Sequence, residues 1–346
     1  MLTNPKKYGL GGVVWKVPGP RARNGWDAWY FGTHYADLDT VPELPDASFD
    51  FPGPRAPARM SPDSIYNVRD ERFGAEGDGE ADDTRAIQAA LAAADEAGGG
   101  TVYLPQGLYR LTEPLTVPSG VELRGPLAVG QIRAWFEACS LLVDWQPEPG
   151  TDVFTAPAAV TLEADSGMRG LMVSHTSNIW EMDADGELVI TPMPYAVRGA
   201  GEGVWLQDVT FTNAYLGVDL ATHRCDDFVI KDLWATFLRE GIRVGGGTTG
   251  GTMEIVTVDF GPWHGWKRLP EETERGVRSP YNAWINEHLD LYVFEDCAEL
   301  DLFSLASFFP EVNVILRDGR TGAPRDLEFW LSMFDVSKRE GILAEA

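Results

Sequence analysis

Phe73–Tyr109 reads FGAEGDGEADDTRAIQAALAAADEAGGGTVYLPQGLY. Its middle part, from Asp82 to Ala97, predicts an α-helix because apolar residues recur at helical spacing and alanine is frequent. The two aspartates at its start can accept hydrogen bonds from the free N–H groups of the first turn. Gly98–Gly100 then ends the helix, and a β-prone run and a Pro–Gln–Gly turn follow. The stretch therefore predicts a helix that leads into a series of short strands.

This stretch resembles the N-terminal signature of the pectate-lyase-like superfamily, a pattern close to FGAxGDGxxDDTxAIQxAxxxAxxxGGGxVYLPxGxY. The chain matches nearly every fixed position, from Phe73 and Asp78 through Asp83 and Gln88 to Tyr109. The resemblance implies an all-β fold, a single-stranded right-handed parallel β-helix with an N-terminal capping α-helix at about residues 82–97. It also implies action on carbohydrate, although the superfamily contains hydrolases, lyases, epimerases and phage tailspikes.

An internal repeat in the middle of the chain supports a solenoid independently. Val204–Phe211 corresponds to Phe228–Ala235, which aligns Asp208 with Asp232 (232 − 208 = 24). A third copy, Met253–Phe260, fits the apolar alternation when Leu233 is aligned with Val258 (258 − 233 = 25). Because strand side chains alternate between the two faces, the repeat predicts two interior columns. These are Val209, Leu233 and Val258, and Phe211, Ala235 and Phe260.

Composition divides the 346 residues into an arm and a domain. Residues 1–63 are rich in proline and aromatic residues and predict an irregular N-terminal arm. Residues 64–346 predict the β-helix domain, and since no capping signal is evident near Ala346, we expect that the natural chain could continue. The three cysteines are widely spaced, which predicts free buried thiols and no metal site of the cysteine type.

The net charge of −25 bounds the partners of the chain. It argues against nucleic acid and against anionic membrane surfaces. It favours a neutral polysaccharide or oligosaccharide over a polyanionic one, unless calcium or a local basic patch intervenes. No signal-peptide or membrane-spanning pattern is present, so we expect a cytoplasmic protein, or a secreted one if a signal has been removed. Monomer and trimer both stay open.

The repeat predicts a cluster of carboxylates on one outer face. The assumed register places Asp208 over Asp232, with Asp259 diagonal to both and Trp234 among them. Like charges this close raise one pKa, which allows one carboxyl to act as general acid while its partner stays ionised. The indole would stack on a sugar ring. The alternatives are a solvated acidic surface or oxygen ligation of calcium; no other cofactor is expected.

Further candidates lie near the same coils. Asp226 and Asp227 resemble the paired aspartates of polygalacturonases and are reserve catalytic candidates, but the NTD, GHG and RIK elements of that family are absent, as is the tyrosine–histidine motif expected of an alginate epimerase. Asp219 above Arg243 predicts a cross-strand ion pair, or an arginine that orients substrate hydroxyls. A long connection after the third repeat offers sugar-stacking candidates or loop anchors: Trp263, His264 and Trp266.

Together these features predict a glycoside hydrolase that cleaves a neutral or weakly charged poly- or oligosaccharide with paired carboxylates. The alternative within enzymes is a polysaccharide lyase, which needs an acidic sugar and usually a basic residue. The alternative outside enzymes is a non-catalytic glycan-binding module of the phage tailspike or adhesin type.

Overall fold

The computed structural model describes residues 64–126, 139–179, 181–185, 188–262, 280–335 and 337–345. The predicted arm at residues 1–63 lies outside this part of the chain. Two helices are described, α1 (Thr84–Glu96) and α2 (Pro280–His288), and neither is long and apolar enough to cross a membrane.

Short strands form most of the described chain. In chain order they are β1 (Ile65–Asn67), β2 (Asp78–Asp82), β3 (Gly100–Tyr103), β4 (Gly107–Leu111), β5 (Leu115–Val117), β6 (Val121–Arg124), β7 (Cys139–Val143), β8 (Val160–Leu162), β9 (Gly167–Arg169), β10 (Met172–His175), β11 (Glu181–Met182), β12 (Leu188–Val189), β13 (Tyr195–Gly199), β14 (Trp205–Gln207), β15 (Thr210–Leu220), β16 (Val229–Val244), β17 (Thr248–Thr249), β18 (Thr252–Val258), β19 (Asp290–Glu295), β20 (Cys297–Phe308), β21 (Val312–Arg317), β22 (Arg325–Trp330), β23 (Met333–Asp335) and β24 (Glu340–Glu345).

β11 and β12 pair antiparallel in a separate two-stranded sheet. The other strands stack into three parallel sheets, and the chain visits each sheet once per coil. Sheet 1 contains β1, β3, β6, β9, β14 and β22, together with the first part of β16 and β18 and the middle of β20. Sheet 2 contains β2, β4, β7, β10 and β23 and the later parts of β18 and β20. Sheet 3 contains β5, β8, β13, β19, β21 and β24. The long β15 and β16 bend across sheets. This architecture confirms the predicted parallel β-helix.

A single residue in the left-handed region forms the corner between sheets 1 and 2 in successive coils. Its φ angle is 52° at Asp208, 51° at Asp232 and 54° at Ile255. The N–H of Asp208 donates to the carbonyl of Lys231 at 3.1 Å, so the corner also joins neighbouring coils. This conformation costs about 1–2 kcal/mol for most side chains, and aspartate tolerates it better than isoleucine does. The same corner conformation occurs at Gly170, Ser304 and Leu331.

A second left-handed corner joins sheet 3 to sheet 1 of the next coil. The N–H of Gly203 donates to the carbonyl of Asp226 at 2.7 Å, and the N–H of Asp227 donates to that of Thr249 at 2.9 Å. Hydrogen bonds at both corners therefore fix the register between neighbouring coils. The residues with positive φ at this second corner are Gly120, Asp165, Gly203, Asp227, Gly250, Glu299 and Asp326.

The register of the third repeat differs from the prediction. Leu233 pairs with Val256 and Ala235 with Val258, so the observed offset (256 − 233 = 23) is smaller than the expected one (258 − 233 = 25). Both offsets are odd and preserve the same alternation of apolar side chains, so parity could not separate them. The corner decides the register, because it aligns Asp232 with Ile255. The predicted interior residues are nevertheless buried, apart from the partly buried Phe260.

Helix α1 occupies the sheet 3 position of the first coil and contacts strands β1, β3, β4, β5 and β6. Gln88 donates to the carbonyl of Thr116 at 3.3 Å and accepts from its N–H at 3.2 Å, which satisfies the open edge of β5. Asp82 accepts from the N–H of Thr84, the first helical residue, at 3.1 Å. Asp83 instead accepts from the N–H groups of Glu76 and Gly77. Asp82 therefore accepts from the first turn as the sequence predicts, whereas the Asp83 side chain fixes the preceding turn and does not cap the helix.

Among the residues that the structure describes, one histidine, His175, is buried in the apolar interior. His175 follows Val143 and Leu111 in the stacked register of sheet 2, and neither of its ring nitrogens has a hydrogen-bond partner among the described residues. Burial lowers the pKa of His175 to about 4. Its backbone is fixed by Asn213, which accepts from its N–H and donates to its carbonyl, both at 2.9 Å.

We predict that His175 makes the fold sensitive to mild acid. Between pH 6.5 and about pH 4 the unfolded state binds a proton on this residue and the folded state does not, so stability falls as the pH is lowered. In urea titrations, wild type should lose roughly 2–3 kcal/mol more than His175→Leu between pH 7 and pH 4.5. An identical pH dependence of the two proteins would contradict this prediction.

Candidate functional site

Asp208 and Asp232 lie at the same corner in neighbouring coils, one strand spacing apart, about 4.8 Å between backbones. Both side chains are half-buried, and burial is the main cause that raises the pKa of each carboxyl. The charge of Asp208 raises the pKa of Asp232 further, whereas Arg169 and Lys231 oppose the rise at Asp208. The structure therefore brings these two predicted carboxylates together in unequal surroundings.

The cations beside this pair already have partners. Lys231 Nζ lies 2.8 Å from Glu254 Oε2, and Arg169 Nε lies 3.1 Å from Glu122 Oε1. Glu122 is buried, and its other oxygen accepts from the hydroxyl of Thr101 at 2.9 Å. Arg124 is stacked in register with Arg169 and contacts the same Glu122 carboxylate at 3.7 Å. Each cation described beside the corner pair therefore contacts a carboxylate, and two of the cations share one.

Asp259 lies farther from the pair than predicted. At the observed offset it aligns with Thr236, whose hydroxyl donates to the Asp259 carbonyl at 2.6 Å. This position is four residues past Asp232, roughly 13 Å along an extended strand. The Asp259 carboxylate accepts instead from the indole N–H of Trp234 at 2.9 Å and from the N–H of Gly261 at 2.6 Å. Burial raises its pKa, and these two hydrogen bonds partly oppose the rise.

The reserve pair, Asp226 and Asp227, lies at the other corner. Asp226 accepts from the N–H of Thr249 at 2.8 Å and forms an ion pair with Arg224 at 2.7 Å. Asp227 is the left-handed corner residue itself. The two side chains therefore lie on the opposite edge of sheet 1 from Asp208 and Asp232.

Asp219 and Arg243 pair in register as predicted, but they do not form the expected ion pair. Asp219 bonds to Arg198 of the preceding coil at 2.7 Å, where both side chains are buried. Arg243 bonds to Glu295 of the following coil at 2.7 Å, and Arg317 contacts the other oxygen of that carboxylate at 2.8 Å. Every inner strand of the sheet has a neighbour on each side. Asp219 and Arg243 each bond to the neighbouring coil on the side away from the other, and not to each other.

Sequence reasoning missed the role of Tyr195 on the outer face of sheet 3. Its hydroxyl donates to Glu240, a buried carboxyl whose pKa is raised mainly by burial. Leu216 lies between them in the register. The repeat could not reveal this pair, because the first step (216 − 195 = 21) and the second step (240 − 216 = 24) differ in length.

Two further predictions concern a calcium site and the aromatic loop after the third repeat. Within the described ranges, no group of three histidine, cysteine, aspartate or glutamate side chains could hold a metal ion. Glu254, a further carboxylate near the corner pair, is bonded to Lys231. Trp263, His264 and Trp266 lie outside the described residues.

Comparison with known proteins extends the structural result. Residues 65–137 match the sequence model of a family described as rhamnogalacturonase A/epimerase, pectate lyase-like. The protein is a parallel β-helix of the pectate-lyase-like superfamily. The resemblance inferred from Phe73–Tyr109 is thus confirmed, and the superfamily is carbohydrate-active.

Several curated and solved proteins are similar to parts of this pectate-lyase-like chain. Alginate lyase 7 of Azotobacter vinelandii is 68% identical over 47 residues, 14% of this chain and 5% of that protein. Mannuronan C5-epimerase AlgE1 of the same organism is 58% identical over 67 residues, 17% of this chain and 5% of that protein. The chain therefore spans a small part of the length of these curated relatives.

Two solved structures are similar over most of the chain. The A-module of mannuronan C-5 epimerase AlgE6 from Azotobacter vinelandii is 18% identical, with a TM-score of 0.43, over 81% of this chain and 79% of that one. An exopolygalacturonase from Thermotoga maritima is 12% identical, with a TM-score of 0.47, over 81% of this chain and 67% of that one.

The stacking of the two corner carboxylates predicts coupled titration. Replacing Asp208 with Asn should lower the pKa of Asp232, because the neighbouring negative charge is removed. Carboxyl ¹³C chemical shifts followed through a pH titration would measure this change. Asp301→Asn, an exposed substitution on the outer face of sheet 1, is the matched control. An Asp232 titration that is the same in both variants would show that the carboxylates do not interact.

Proposed function

We propose that this protein is a glycoside hydrolase that cleaves a neutral or weakly charged poly- or oligosaccharide, with Asp208 and Asp232 as its catalytic pair. One observation carries the proposal. Two half-buried carboxylates with raised pKa values occupy equivalent positions in adjacent coils, on a fold whose superfamily acts on carbohydrate.

The surroundings of the two carboxyls suggest a division of labour. Asp232 is the general acid, because burial and then the charges of Asp208 and Glu254 raise its pKa and favour its protonated form, against the opposing effect of Lys231. Burial also raises the pKa of Asp208, but Arg169, Lys231 and Arg124 oppose that rise and no carboxylate adds to it, so Asp208 is assigned as the nucleophile. A separation near one strand spacing is close to the about 5–5.5 Å of retaining glycosidases. In such a reaction Asp208 bonds to the anomeric carbon while Asp232 protonates the leaving oxygen, and water then releases the sugar.

The remaining predicted residues take supporting roles in this proposal. Trp234 lies in β16, two residues past Asp232, and its partly exposed ring is the proposed sugar contact, with its N–H fixed by Asp259. Such a ring stacks on the C–H face of a pyranose. Trp263, His264 and Trp266 are proposed as outer sugar contacts. Lys231 is bonded to Glu254, and Arg124 and Arg169 share Glu122, so each cation described around the pair already contacts a carboxylate, which favours an uncharged sugar over a carboxylate-bearing one.

Product analysis on a glycan panel tests this proposal. We expect wild type to release reducing sugars from at least one neutral polysaccharide. Asp208→Asn and Asp232→Asn should each lower kcat by about 10²–10⁴-fold, the usual contribution of a positioned acid or base. Asp301→Asn, on the same outer face, should retain wild-type turnover. Thermal unfolding of each variant would confirm that the fold is intact.

The same panel separates the alternatives. Products that absorb in the ultraviolet through a new double bond would select a lyase, and glycan binding without any product, with a trimeric mass, would select a tailspike-like module. Glu240→Gln locates the reaction independently. If this variant were inactive while Asp208→Asn and Asp232→Asn kept full turnover, the reaction would lie on sheet 3 and the proposed pair would be wrong.

A further inference from the structure

Two adjoining cavities lie where the turns after sheet 3 lead towards sheet 1. Their volumes are about 410 Å³ and about 340 Å³, and both are within the usual range of small-ligand pockets. Asp296 lines both and separates them. The first is lined by Thr222, Arg243, Glu295, Asp296, Asp318 and Arg320. The second is lined by Arg224, Thr248, Thr249, Asp296, Thr321 and Arg325.

Asp296, the wall between the cavities, is fixed from several directions. Its carboxylate accepts from both the hydroxyl and the N–H of Thr321, and its carbonyl accepts from the N–H of Gly247 at 2.8 Å. Its backbone is left-handed, with φ of 47°. Gly319 packs against it so closely that a Cβ atom there would lie 2.3 Å from the Asp296 Cβ. The wall is therefore preformed and needs no rearrangement to meet a ligand.

The floor of the larger cavity is equally constrained. Glu295 is bonded to Arg243 and to Arg317, so its carboxylate has a fixed orientation. Gly245 makes this arrangement possible, because a Cβ atom at that position would lie 2.7 Å from the Glu295 Cγ. Asp318 and Arg320 stand at the exposed rim, and Arg320 has no hydrogen-bond or ion-pair partner among the described residues.

The lining chemistry selects one class of ligand. Guanidinium groups can only donate hydrogen bonds, and ionised carboxylates can only accept them. The larger cavity presents Arg243 and Arg320 with Glu295, Asp296 and Asp318, so a lone anion or a lone cation would meet a like charge. No aromatic side chain of the described ranges lines either cavity, which disfavours an apolar ligand. Sugar hydroxyls both donate and accept, so they match this mixture.

We propose that these cavities are two subsites that bind consecutive residues of a neutral oligosaccharide, and that this site holds substrate and performs no chemistry. The inference rests on the proposed function in one respect: the ligand is taken to be a neutral glycan because that is the proposed substrate class. Neither cavity is lined by Asp208 or Asp232, which lie at the other edge of sheet 1. The site thus binds the glycan at a distance from the proposed catalytic pair.

Isothermal titration calorimetry on the full chain tests the inference with four neutral tetrasaccharides as probes: cellotetraose, maltotetraose, xylotetraose and mannotetraose. Tetragalacturonate is the charged comparison. We expect at least one neutral probe to bind, and Arg320→Ala and Asp318→Asn each to raise its Kd at least tenfold. Both side chains are exposed, so neither substitution should unfold the protein. Asp301→Asn should leave that Kd unchanged.

The outcomes separate this inference from the proposed function. Binding that depends on Arg320 and Asp318, with no hydrolysis of any glycan, would support the site and overturn the hydrolase. Hydrolysis that depends on Asp208 and Asp232, with a Kd unaffected at Arg320 and Asp318, would overturn the site alone. Failure of all four neutral probes to bind, or binding of tetragalacturonate only, would also overturn the proposed site.

Discussion

The left-handed corner between sheets 1 and 2 is the constraint on which the rest of the structure depends. At Asp208, Asp232 and Ile255 the chain turns within one residue in the left-handed region. A one-residue turn does not allow the strands on its two sides to shift along each other. Each coil must therefore stack directly on the previous one with its inner side chains aligned. The left-handed conformation occurs even at Ile255, although isoleucine disfavours it. The corner thus fixes the register for the core and for the outer surface together.

The same constraint determines which polar groups meet. It stacks Asp208 over Asp232 and removes Asp259 from them, because Ile255 takes the next corner position. On sheet 3, in-register neighbours also bond across coils, as Glu295 does with Arg317 and Asp219 does with Arg198. The outer surface is therefore a set of short charged ladders whose members come from different coils. The proposed catalytic pair and the proposed glycan subsites lie along opposite edges of sheet 1.

Much of the fold was predictable, because Phe73–Tyr109 contains both the capping helix and a long superfamily signature. The inward positions Val209, Leu233 and Phe211 followed from alternation alone. The third register did not, since alternation cannot separate two offsets of the same parity, and isoleucine at position 255 gives no turn signal. The Tyr195–Glu240 contact was hidden because successive coils differ in length. The cavities around Asp296 come from turns of different coils, whose proximity only the folded chain reveals.

Cysteine cross-linking tests the central claim, that the corner stacks Asp208 on Asp232, most directly. A disulfide requires Cα atoms about 4.4–6.8 Å apart, which one coil spacing satisfies and two coil spacings, about 10 Å, do not. The native Cys139, Cys225 and Cys297 are free and buried. Oxidation should therefore cross-link Asp208→Cys/Asp232→Cys and leave Asp208→Cys/Ile255→Cys reduced. Cross-linking of the second pair but not the first would contradict the register described above.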